Sequence, residues 1–170
     1  MQNLINYANF KYPFLPNLQS DQQVLKLDNT INFKQTDFFR QILGEVEYQK
    51  FVTDLNETSE PTAQIWKDFL NGAVYLDGYV YRVYEGLIES LTLFIFEYSC
   101  RFDETQSTIS GEVSPLFENS DKSNMNFKLI SAHNRMFELT EKCKSFLEFN
   151  SANYPDLVFT GFKKINQFGI

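Results

Sequence analysis

The stretch that decides the fold is Tyr84-Glu85-Gly86-Leu87-Ile88-Glu89-Ser90-Leu91-Thr92-Leu93-Phe94-Ile95-Phe96-Glu97-Tyr98-Ser99-Cys100-Arg101-Phe102. Leu87, Ile88, Leu91, Phe94, Ile95, Tyr98 and Phe102 recur at helical spacing and make one broad apolar stripe. Leu93, Phe96 and Cys100 make a second stripe, at i, i+3 and i+7, on nearly the opposite side. A helix apolar on two faces is buried on two sides. In a chain of 170 residues, a neighbouring chain is the candidate to cover the second side.

Working outward, Ala73-Val74-Tyr75-Leu76-Asp77-Gly78-Tyr79-Val80-Tyr81-Arg82-Val83 sets Asp-Gly between two β-prone runs. That is a strong hairpin signal, because the central residues of a type I′ turn need positive φ. A short hairpin is therefore predicted near 74–83. Upstream, Pro61 suits the first turn of a helix with a stripe of Ile65, Trp66, Phe69 and Leu70 that stops at Gly72. Further upstream, a helix is predicted from Asp37, behind a Thr36 cap. Its Phe39, Ile42, Leu43 and Val46 share one face, while Tyr48, Phe51, Val52 and Leu55 share another, about half a turn away. One straight helix cannot aim both at one core, so a break is predicted at Gly44.

Residues 1–33 show little periodicity and read as an irregular arm, either docked through Phe10, Tyr12, Phe14 and Leu15 or poorly ordered. Residues 103–123 have no helical period and read as a long loop, whose Ile109, Val113, Leu116 and Phe117 have no obvious core to join. From Asn124 to Phe149 the pattern is helical again, with a bundle-type seam of Leu129, His133, Met136, Thr140, Cys143 and Leu147. Residues 153–170 form a tail whose Phe162, Ile165, Phe168 and Ile170 are too apolar to float free; it packs on a helix or on another subunit. The fold class is mainly α: a small helical bundle, core 34–152, with one short β-hairpin, a long extended loop, and extended N- and C-terminal segments.

The chemistry of the chain is sparse. Fifteen basic against twenty-two acidic side chains leave a charge of −7, which argues against gripping nucleic acid by its phosphates. The two cysteines make no disulfide framework, and no Cys/His cluster has metal spacing. The single histidine, His133, lies in an apolar seam and reads as a satisfied core residue. Cys143 is ~15 Å of helical rise away from it, too far for a dyad. A di-iron bundle needs Glu three residues before His, where Ile130 stands. No glycine-rich phosphate loop occurs. Glu45/Glu47 and Glu138/Glu141 read as solvated helix faces. No signal peptide is read at the N-terminus, and Leu87–Phe96 is too short to span a bilayer. The expectation is a non-enzymatic protein without cofactor, metal or membrane contact, made in a reducing cytoplasm.

Four landmarks stand in order: Ile42-Leu43-Gly44-Glu45 followed by Tyr48; Trp66-Lys67-Asp68-Phe69-Leu70-Asn71-Gly72; Tyr84-Glu85-Gly86-Leu87; and the closing Lys164-Ile165-Asn166-Gln167-Phe168-Gly169-Ile170. With the Gly111-Glu112-Val113-Ser114-Pro115 and Glu118-Asn119-Ser120 segments between the last two, this order resembles the head–tail connector (adaptor) proteins of tailed phages, particularly crAss-like and related phages of gut bacteria. The resemblance spans residues 36–170. It implies a virion structural protein whose copies form a ring, dodecameric in the family, between portal and tail. Such a ring binds portal, neck and tail proteins and extends a channel through which DNA passes as non-specific cargo. The interface candidates are Leu93, Phe96, Cys100, Ile109, Val113, Leu116, Phe117, Phe162, Ile165, Phe168 and Ile170. The alternative is a helical interaction module, a regulator or assembly chaperone, that takes a partner in an aromatic groove.

Overall fold

The computed structural model describes residues 3–11, 14, 21–103, 106–108, 111–113 and 119–165. Helix α1 spans Asp21–Asp54 and α2 Gln64–Asn71; β1 (Ala73–Asp77) and β2 (Val80–Tyr84) follow, then α3 (Ile88–Asp103). Strands β3 (Gln106–Thr108) and β4 (Gly111–Val113) lead to α4 (Asn119–Phe149), and short 3-10 turns occupy Tyr7–Asn9 and Ser151–Asn153. The protein is mainly helical, as the periodicity predicts.

The break in α1 lies at Gly44, with φ 73° and ψ 173°. Only glycine adopts that backbone without strain. The turn swings the downstream face round, so that Phe39 and Phe51 meet with ring centroids 5.2 Å apart and both reach Phe69. Trp66 and Tyr154 complete this aromatic core. Val46 does not join it; it lies on the solvent side of the break.

The start of α1 corrects the reading of residues 1–33 as an arm. The helix begins at Asp21, so residue 33 sits inside it rather than at a boundary. Leu27, Ile31, Phe38 and Ile42 are its buried stripe, and the step between Ile31 and Phe38 is filled by buried Gln35. The Gln35 side-chain oxygen accepts from the Leu4 amide at 3.0 Å. A polar residue in the middle of the stripe hides its period. Helix α2 likewise starts later than Pro61, which pairs instead with Leu55 in an isolated bridge.

Helices α3 and α4 pack antiparallel. Tyr84, just before α3, stacks on Phe146, and Glu97 near its end faces His133. The seam predicted for α4 is buried at Leu129, Met136, Thr140, Cys143 and Leu147, with His133 half-buried. Glu47, expected on a solvated face, is buried and holds Lys50 Nζ and the Asp156 amide. Residues predicted as one long loop include the β3–β4 pair and the first turn of α4.

Candidate interaction surface

The hairpin is built as two faces of opposite fate. Its register pairs Val74 with Val83, Tyr75 with Arg82, Leu76 with Tyr81 and Asp77 with Val80. Alternation sends Ala73, Tyr75 and Tyr84 to one side. There Tyr75 packs on Phe146 and Phe149, and Tyr84 lies flat on Phe146 at 4.5 Å. The other side carries Val74, Leu76, Tyr81 and Val83, all exposed, with Val74 at 64% and Tyr81 at 75%. Amphipathic hairpins put polar residues outward; this one puts two cross-strand apolar pairs there. Positive φ occurs at Gly78 and not at Tyr79, so the turn is of the II′ kind rather than I′. Tyr79 stands fully exposed at the tip.

The root of the hairpin is closely packed. A Cβ on Gly86 would lie 2.6 Å from the Leu70 carbonyl oxygen, so the end of α2 and the approach to α3 touch backbone to backbone. The Leu87 amide donates to that carbonyl at 2.9 Å. Beside the root, Glu85 accepts from Lys142 at 2.7 Å and from Arg135, which also holds Glu89. The Lys142 hydrogen bond, aided by Arg135 against some burial, holds the Glu85 carboxyl below its ordinary range.

A second apolar surface lies at the other end of the α3–α4 pair. Leu25, Asn29 and Phe33 of α1, with Tyr98 of α3, line a groove of about 430 Å³ in which Leu25 and Phe33 are exposed. Lys34 lies over the rings of both Tyr98 and Phe33. From Phe146, under the hairpin, to His133, opposite Glu97, α4 rises ~20 Å. The two apolar surfaces are thus at opposite ends of the bundle.

No protein-family model, curated protein or solved structure matches this chain.

Several expected interface residues are placed elsewhere. Leu93 and Phe96 are each 3% exposed within the single chain. Phe14 of the N-terminal segment packs edge-on against Phe96 at 5.5 Å, and Cys100 is half-buried against the same core. Leu93 and Phe96 are therefore buried within the single chain, Phe96 beneath Phe14, which corrects the expectation that a sister copy covers them. Phe162 is half-buried against the core of its own chain, stacked on Phe38 at 5.7 Å and tilted on Phe94. The Ile165 amide donates to Asn134. Val113 lies in β4; Ile109, Leu116, Phe117, Phe168 and Ile170 fall outside the described residues. The outward hairpin face was missing from that set, although Val74, Leu76, Tyr81 and Val83 signal it: a hairpin apolar on both faces needs two covers.

Among the described residues no group of His, Cys, Asp and Glu is placed to hold a metal ion, and no helix is long and apolar enough to cross a membrane. Burial pushes the Cys143 thiol up to about 12, although a Tyr84 hydrogen bond opposes this. A thiol held protonated is a weak nucleophile.

Proposed function

We propose that this chain is an architectural virion subunit that assembles head to tail with its own copies into a ring in the neck of a tailed phage. The observation that carries the reading is the outward hairpin face, Val74, Leu76, Tyr81 and Val83, left exposed among the described residues. The groove of Leu25, Phe33 and Tyr98 at the opposite end supplies a second, different apolar surface. Two unlike surfaces on opposite ends give heterologous contacts, which close into rings or run on as filaments. The ordered landmarks from Ile42 to the C-terminus favour the ring, joining portal to tail. A net charge of −7 suits a conduit that lets DNA slide during ejection.

Light scattering tests this reading. The expected mass is a multiple of 19.9 kDa, falling to one copy in Leu76→Asp/Tyr81→Asp with helical content unchanged. Purified particles should contain the protein. A monomeric wild type that is absent from particles overturns the proposal. The groove of Leu25, Phe33 and Tyr98 also favours the second reading, an interaction module: a monomer that binds an amphipathic helix there, and loses it in Phe33→Asp, decides for that alternative.

A further inference from the structure

The C-terminal segment runs back along the whole bundle. Asp156 meets Glu47 and Lys50, Val158 donates to the Leu43 carbonyl, and Thr160 and Gly161 both donate to Gln41. Phe162 then enters between Phe38 and Phe94. The next contact is different in kind. His133 Nε2 lies 2.7 Å from the Lys163 carbonyl oxygen, and His133 Nδ1 lies 2.8 Å from Glu97 Oε2.

A carbonyl oxygen and a carboxylate are acceptors only. Neutral imidazole has one N–H and one lone pair, so either tautomer would press a lone pair against an acceptor at one of these distances. The imidazolium donates to both. Burial to 14% and 12% exposure costs the charged forms solvation, but it also strengthens the attraction between ring and carboxylate at 2.8 Å, and the two acceptors at the two ring nitrogens favour the cation. Among the described residues, the charged groups that face the ring are Glu97 from α3 and, from the tail, Lys163, which presents its carbonyl and is itself exposed. On α4 itself Arg135, two positions along, is engaged with Glu85 and Glu89.

We propose that His133 is a proton-gated latch: as the imidazolium it ties the Lys163 carbonyl to α3 and α4, and on losing its proton it keeps one N–H, which the Glu97 carboxylate, the stronger acceptor, retains, so that the hold on the Lys163 carbonyl is lost. The clamp is whole at low pH and is lost as pH rises through the titration of the native ring. This is independent of the ring proposal, since every partner belongs to the same chain.

Because His133 is the only histidine, deuterium exchange at its ring carbon, followed by mass spectrometry against pH, reads its titration directly in the full-length protein. Amide exchange of the peptide covering Lys163 and Ile165, corrected for intrinsic rate, reads the tail. The expected midpoint lies above the ~6.5 of an unperturbed imidazole, with protection at Lys163 and Ile165 falling about tenfold across it. Glu97→Gln should move both transitions to lower pH together. His133→Gln should leave tail protection flat with pH. A midpoint at or below that of unperturbed imidazole, or tail protection that ignores the midpoint, overturns the latch. Should His133→Gln fail to fold, the shift in Glu97→Gln decides.

Discussion

Gly44 and Val158 share one volume: a Cβ on Gly44 would lie 2.9 Å from the Val158 Cβ, and the Val158 amide donates to the Leu43 carbonyl beside it at 3.3 Å. The break in α1 strands carbonyls that a continuous helix would have used, and the returning tail satisfies them at Leu43 and Gln41. Kink and tail are one construction.

Gly44→Ala should therefore cost about 2–4 kcal/mol, combining a backbone region closed to alanine with overpacking against Val158. Urea denaturation measures it. Adding Val158→Ala should recover part of the loss, because the two residues are in contact; purely additive costs would show that the clash is not the cause.

Phe96→Asp separates the two accounts of the second α3 stripe. With Phe96 buried under Phe14, the substitution should cost more than the about 3–5 kcal/mol of a buried Phe→Ala change. Circular dichroism should show loss of the folded state. A well-folded variant that merely fails to associate would restore the stripe to an interface.

Asp54 should act as a remote cap for α2. The helix has no side-chain cap of its own at Ala63; instead the Asp54 carboxylate accepts from the Thr62 hydroxyl and from the Thr62 and Ala63 amides. Burial opposes ionisation, but these donors outweigh it and hold the carboxyl below its ordinary 3.8. Asp54→Ala should cost about 1 kcal/mol at neutral pH. A group depressed in the native state stabilises above its unfolded value, so the gap between wild type and variant should close as pH falls below about 4. Thermal melts from pH 7 to 3 measure it.

Cys143 should stay unmodified by iodoacetamide in the folded protein at pH 8 and react once urea unfolds it, since burial keeps it a thiol at about 12. Peptide mass mapping gives the answer, and native labelling at Cys143 would mean that the α3–α4 core opens.

The local elements were legible because each rests on spacing or on backbone chemistry. Gly44 between two rotated faces announces the break, Asp77-Gly78 the hairpin, and Leu129 to Leu147 the seam of α4. Where the signal failed, a polar residue stood in an apolar stripe, as Gln35 does in α1. Glu47 misled in the same way: its charge says solvent, yet Lys50 and the Asp156 amide make burial tolerable.

By itself the chain's order of residues determined a helical protein, broken at one glycine and carrying one apolar hairpin, because periodicity and φ preference act over a few residues. Only the tertiary structure decided which apolar surface is left over. Phe14 covers Phe96 and Phe162 fills the space beside Phe38, while among the described residues nothing reaches across Val74, Leu76, Tyr81 and Val83, which stay exposed. Exposure is a property of the whole packing: a side chain's hydrophobicity states that it needs cover, and only the arrangement of distant segments says whether it has any.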